Sequence, residues 1–163
     1  MLLLAAFGAG AAAAARWRAA TAEELRRVIP ERAPVVKENI ETEFRTASGV
    51  TDGRGRFIAG VVMITAGYSA EGKYSHFFVT QAPLRVGGFD LPAGQYVFGY
   101  ERTGDETIRV RFYRASTGEQ VGEADAVKNR KGGGVRSLLI SPPASGRGSI
   151  QIGRFFLDYR LAG

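Results

Sequence analysis

The chain has no cysteine. Disulfides, thiolate nucleophiles and cysteine-ligated metals are therefore excluded together. It has one histidine, His76, so no His-x-His or His-Glu-x-x-His metal spacing can occur. Only six of its 163 residues are proline, and no long helix-period segment appears after residue 30. What is present is glycine, 22 residues of it, set between short apolar runs. That pattern is the composition of an all-β protein. A hydrophobic fraction of 45% over 163 residues suits one domain with a core of its own.

The amino terminus, "MLLLAAFGAGAAAAA", is uncharged over residues 1–15. Its length suits a secretory apolar region and is short for a spanning helix, which needs about 20 residues. A basic segment ahead of it is missing. Small-x-small cleavage sites occur at Ala13-Ala14-Ala15 and Ala20-Thr21-Ala22. The expectation is a signal-like or anchoring leader over residues 1–22. Residues 23–36 then form a short helix and linker, and 37–163 a β-domain that is exported to the periplasm or cell envelope. The alternative is a retained Ala-rich helix that associates with the membrane. The net charge of +6 fits an anionic envelope component or an acidic protein partner. Nucleic acid is not expected for an exported chain.

Thr21 and Glu24 form a Thr-x-x-Glu capping box ahead of Leu25, Val28 and Ile29, with Pro30 as a stop. From residue 39 the period becomes two. "NIETEFRT" alternates Ile40, Thr42 and Phe44 against Glu41, Glu43 and Arg45. "FIAGVVMITAGY" is apolar on both faces and reads as a central strand, with Gly60 at a bulge or a close contact. In "LRVGGFDLPAGQYVFGY", Gly87-Gly88 marks a hairpin and Pro92 presets a turn. Gly94 is expected at positive φ, and Gly99 where a neighbouring ring or backbone crosses closely. The last strand, Ser149 to Arg160, is long enough to bend at Gly153. Eight or nine strands with regular turns predict a single antiparallel β-sandwich, or alternatively a small closed β-barrel.

The segment "GFDLPAGQYVFGYE" resembles the Leu-Pro-Ala-Gly-x-Tyr stretch of secreted bacterial β-domains, including transthyretin-like modules and uncharacterised exported proteins. "KYSHFFVTQAPLRVGG" and "GRFFLDY" are similar to segments of the same group. The resemblance implies a secreted β-domain and carries over no catalytic residue.

Candidate chemistry is sparse. His76 reads as structural or surface, sharing a face with Tyr74 and Phe78. "GYSAEG" lacks the Gly-x-Ser-x-Gly spacing of a nucleophile elbow. Glu41 and Glu43 share a strand face with Arg45, as a solvated face does, and Asp158 lies between Arg154 and Arg160 as in a charge ladder. "KGGGVRS" lacks the Walker spacing, so no cofactor is expected. Lys128, Arg130 and Lys131 form a basic loop that could contact an anion. The strongest surface candidate is "TIRVRFYR", where Ile108, Val110 and Phe112 turn inward and Arg109, Arg111 and Tyr113 turn outward as a partner-binding face. Its structural alternative is pairing of the arginines with an acid such as Glu101 or Glu119. The function expected is a non-enzymatic envelope binding, structural or accessory-subunit module acting through a sheet face or edge. The alternatives are an exported carboxylate-pair hydrolase or a barrel carrier of an apolar ligand.

Overall fold

The computed structural model describes residues 16–129 and 133–162. The expected leader, residues 1–15, and Arg130 and Lys131 lie outside the described residues. The chain is all-β; the described residues form thirteen antiparallel strands and one helical turn: β1 (Arg18–Ala19), α1 (Ala22–Arg26), β2 (Arg32–Val35), β3 (Glu38–Thr51), β4 (Phe57–Met63), β5 (His76–Thr80), β6 (Leu84–Val86), β7 (Phe89–Leu91), β8 (Gly94–Arg102), β9 (Thr107–Arg114), β10 (Gln120–Lys128), β11 (Arg136–Ile140), β12 (Arg147–Gly153) and β13 (Phe155–Leu161). One continuous sheet runs β1-β3-β4-β5-β8-β9-β10-β13-β12-β11 and curls into a half-barrel. Its inner faces meet as those of a sandwich would, but no break divides it into two sheets.

Two-sided burial shapes this sheet. β4 alternates Ile58 into the concave interior against Ala59, Val61 and Met63 on the convex side. β5 and β8 do the same with Phe78 and Phe98 inside and Phe77, Val79 and Val97 outside. The interior is filled by Phe78, Phe98, Phe112, Tyr96 and Tyr159, packed with aliphatic side chains from β11, β12 and β13. The convex side of β4, β5 and β8 is covered by Leu25 and Ile29 from the helical segment, Ala33 and Val35 from β2, and Ala70 and Tyr74 from the β4–β5 connection. Strands apolar on both faces need cover on both faces, and the chain supplies two layers of it.

The capping box forms as expected, with the Glu24 N–H donating to Thr21 Oγ1 (3.2 Å) and the Thr21 N–H donating to Glu24 Oε1 (3.0 Å). The segment before it also belongs to the sheet. β1 pairs with Val50 and Thr51, Trp17 packs against the interior cluster, and Arg18 forms an ion pair with Glu24 (2.7 Å).

β11 ends the sheet and curls back towards β3 and β4 without a ladder. The Ile140 N–H donates to Ser48 Oγ (2.9 Å), where β3 bulges between Glu43 and Ser48. Leu138 settles over Gly60, where an added Cβ would lie 3.0 Å from its methyl group, so Gly60 is a close contact. The bulge itself lies in β3.

Three local expectations need correction. Gly94 is not at positive φ. The turn is instead closed by Tyr96 Oη, which donates to the Pro92 carbonyl (2.6 Å), and Gly94 opens β8. The final segment is not one bent strand. It is the β12–β13 hairpin, with Ile152 opposite Phe155 and Gly153 at φ +63° as the first residue of a two-residue loop. Tyr74 lies in the convex cluster, whereas Phe78 points into the interior with His76. Gly99 behaves as expected, since the Lys73 carbonyl crosses directly over it where a Cβ would overlap the oxygen.

These contacts predict opposite outcomes for two alanine substitutions. Gly99→Ala should destabilise by about 3 kcal/mol, because a strand and a crossing backbone must separate. Gly94→Ala should stay within about 0.5 kcal/mol, because its Cβ would make only a 3.4 Å contact with Tyr96 Oη. Urea denaturation of both variants checks this, and an unaffected midpoint for Gly99→Ala would contradict it.

Candidate binding surfaces

His76 begins β5 and is 3% exposed. Its ring stacks on Phe98 at 4.5 Å between centroids and 10° between planes. Nδ1 lies 2.7 Å from Ser75 Oγ, and Nε2 lies 3.4 Å from the Ser137 carbonyl of β11. A hydroxyl donating to Nδ1 and an Nε2–H directed at the carbonyl assign the neutral imidazole with its proton on Nε2. Burial pushes the His76 pKa down to about 4, against a weaker opposing effect of the Ser137 carbonyl. The ring thus links β5 to β11 through the Ser137 carbonyl while it stacks on Phe98 of β8. The candidate carboxylates are also engaged. Glu43 pairs with Arg45 (3.1 Å) and Glu41 with Arg32 (3.6 Å).

β9 places its residues as its alternation requires. Ile108, Val110 and Phe112 are buried, and Arg109, Arg111 and Tyr113 lie on the opposite face. Both guanidinium groups have partners there. Arg111 donates to Glu101 Oε1 of β8 (2.8 Å) and Glu123 Oε2 of β10 (3.1 Å), and Arg109 to Asp125 Oδ1 of β10 (3.4 Å). Glu119 pairs instead with Arg114, at 3.9 Å. Tyr113 packs edge-on against Tyr74 (5.0 Å), and the Lys73 ammonium lies 5.2 Å from the Tyr113 ring and 5.3 Å from that of Tyr74. This band is therefore charge-balanced, and its aromatic end is half covered by the convex layer.

The acidic partners Glu123 and Asp125 were not foreseen. "STGEQVG" reads as a turn with a short strand, and the residues after it, "EADAVK", are poor in β-formers, yet β10 runs nine residues opposite β9. Of the expected basic loop, Lys128 is described. It ends β10, with its ammonium 5.8 Å from the Phe155 ring.

A second basic surface lies on the outer side of β6, β12 and β13. Arg147 stands directly opposite Arg160, and Arg160 directly opposite Arg85. They line an open cleft of about 650 Å³ with Ser141, Pro142, Ser149 and Asp158. Nothing in the local sequence joins these three arginines, because the β13–β6 pairing bridges distant segments.

No protein-family model, curated protein or solved structure matches the chain.

The buried imidazole sets an acid limit on stability. The fold favours neutral His76, so its contribution is complete above pH 6.5 and is lost as pH falls towards 4, about 3 kcal/mol in all. Glu24, held at about 2 chiefly by the Arg18 guanidinium, loses its contribution as pH falls from about 4.5 towards 2, below the His76 window. Stability should therefore decline between pH 6.5 and 5, and His76→Gln should flatten that slope. An equal slope in the variant, by urea titration at each pH, would assign it to other groups.

Proposed function

We propose that the protein is a non-enzymatic binding or accessory β-domain of the cell envelope that works through an outward sheet face. The observation that carries this reading is the commitment of three candidate catalytic side chains, His76, Glu41 and Glu43. His76 is buried, neutral and held between two strands, and Glu41 and Glu43 are held by arginines. Pairing of Glu41 and Glu43 with arginines speaks against the hydrolase alternative, and the aromatic rings inside the half-barrel speak against the carrier alternative.

In this reading Arg109, Arg111 and Tyr113 contact a protein partner rather than a uniformly anionic surface. Their band carries alternating charges, so a partner of mixed charge can exchange ion pairs with it across a polar rim. The double variant Arg109→Ser, Arg111→Ser should lose no more than about 1 kcal/mol of stability, as exposed pairs do. Retention of the partner, captured from native membranes, should fall. Retention at wild-type strength by the folded double variant would sink the proposal.

Export rests on the amino-terminal segment and on the resemblance to secreted β-domains. If a leader is removed, cleavage at Ala13-Ala15 fits the fold better than cleavage after Ala22. The later cut would discard Trp17, β1 and the Thr21 cap, all of which pack against or pair with the domain. Mass spectrometry of the native protein should then find an amino terminus ahead of Trp17, and a start at Glu23 would show that β1 is dispensable.

A further inference from the structure

We propose that the cleft over β6, β12 and β13 is an anion site that binds the phosphate of a small hydroxyl-bearing phosphomonoester through Arg147 and Arg160. The argument begins with register. Residues directly opposite on antiparallel strands have Cα atoms about 5 Å apart, so Arg147, Arg160 and Arg85 form one row of three like charges. Like charges directly opposite destabilise a sheet. The same sheet avoids this at β9, where Arg109 has Glu101 and Asp125 directly opposite on its two sides.

Only one arginine of the row has an acidic partner. Arg85 donates to Asp90 Oδ1 (2.9 Å) and to the Gly88 carbonyl (3.1 Å), which fixes it at the cleft border. Arg147 and Arg160 have no carboxylate within ion-pair distance among the described residues. Asp158, two residues from Arg160 on the same strand face, stands opposite Ser149 and pairs with neither. The row thus presents two planar five-donor groups to one cleft, and a dianion neutralises both at once.

The surroundings select among dianions. A cleft of about 650 Å³ falls in the range for small organic ligands and leaves room beyond the anion for the body that carries it. Ser149 Oγ and Ser141 Oγ, 3.3 Å apart, and the exposed Asp158 carboxylate provide hydroxyl-directed contacts beside the arginines. A phosphomonoester with neighbouring hydroxyls matches both halves of the site. Such a group occurs on free small molecules and on lipid headgroups, and both sources share this chemistry.

The test titrates glycerol 3-phosphate into the full-length protein by calorimetry at constant ionic strength. Co-sedimentation with phosphatidylcholine vesicles that contain phosphatidylinositol 4-phosphate, a phosphomonoester beside free hydroxyls, runs in parallel, with pure phosphatidylcholine vesicles as reference. Wild type should bind glycerol 3-phosphate. The Arg147→Gln, Arg160→Gln variant should bind at least tenfold more weakly, and Arg154→Gln, which removes one charge at the β12–β13 hairpin tip outside the cleft lining, should bind as wild type does. Without ligand, the double variant should melt at the wild-type temperature or above it, because it relieves like-charge repulsion. Tighter retention on the phosphatidylinositol 4-phosphate vesicles than affinity for the free ester would assign the lipid source, and the reverse the soluble one. Absence of binding to both probes, undiminished binding in the double variant, or a lower melting temperature without ligand would each overturn the proposal. None of these outcomes bears on Arg109 and Arg111, so the reading of the β9 face stands or falls separately.

Discussion

Phe98 sits where the two halves of the curled sheet meet. Its ring stacks on His76, packs against Phe112 at 5.0 Å and meets Phe78 at 6.3 Å. Through Phe78 and Phe112 it joins β5, β8 and β9 into one aromatic floor. Through His76 it reaches the Ser137 carbonyl of β11, the far end of the same sheet. Buried aromatic area stabilises this floor strongly, which allows a titratable ring to be held there despite its desolvation. Curling the sheet around that floor leaves β4, β5 and β8 with a second apolar face. The helical turn, β2 and the β4–β5 connection exist in their places because that face must also leave water.

The outward surface inherits its chemistry from this arrangement. Once the interior face of a strand is assigned, its alternate residues have no choice of direction, and register decides which charges face one another. On β8, β9 and β10, register sets acids beside arginines, so the band is balanced within itself. On β12, β13 and β6 it sets arginine beside arginine. Two arginine-bearing surfaces therefore differ in what they require from outside, and a count of basic residues along the chain would not separate them.

Much of the fold was legible in the sequence wherever the signal was local. The two-faced run of β4, the alternation of β9, the Thr21–Glu24 cap and the glycine beneath the Lys73 crossing all follow from side-chain period and size. The misreadings have a common physical source. β10 has weak intrinsic strand preference and is held by its pairing with β9, so its acids, Glu123 and Asp125, went unseen and the arginines opposite them looked free. Gly94 was assigned a conformation that the Tyr96 hydroxyl makes unnecessary by closing the turn from outside it. The strands β1, β2 and β7, of two to four residues, are too short to show a period, whereas β6 is legible from the Gly87-Gly88 hairpin signal that follows it. The row of Arg85, Arg147 and Arg160 depends on a pairing between residues more than seventy positions apart, which no local pattern encodes.

The interior also fixes the shape of the outer cleft. Tyr159 points inward from β13, 1% exposed, with its ring against Gly148, where any Cβ would overlap it. Its hydroxyl donates to the Ser141 carbonyl at 2.6 Å, and burial raises its pKa, so the donor keeps its proton. Ser141 starts the connection that walls the cleft. Pro142 and Pro143 stiffen that connection, and the Ala144–Arg147 bridge closes it, with Ser145 and Gly146 both at positive φ as a tight two-residue turn requires. One end of the wall is thus fastened to a core tyrosine and the other to the strand that carries Arg147. A wall built this way does not have to be ordered by a ligand, so the entropic cost that weakens binding to mobile loops is small here. The core that holds the half-barrel together also holds the arginine row in register and the cleft above it open.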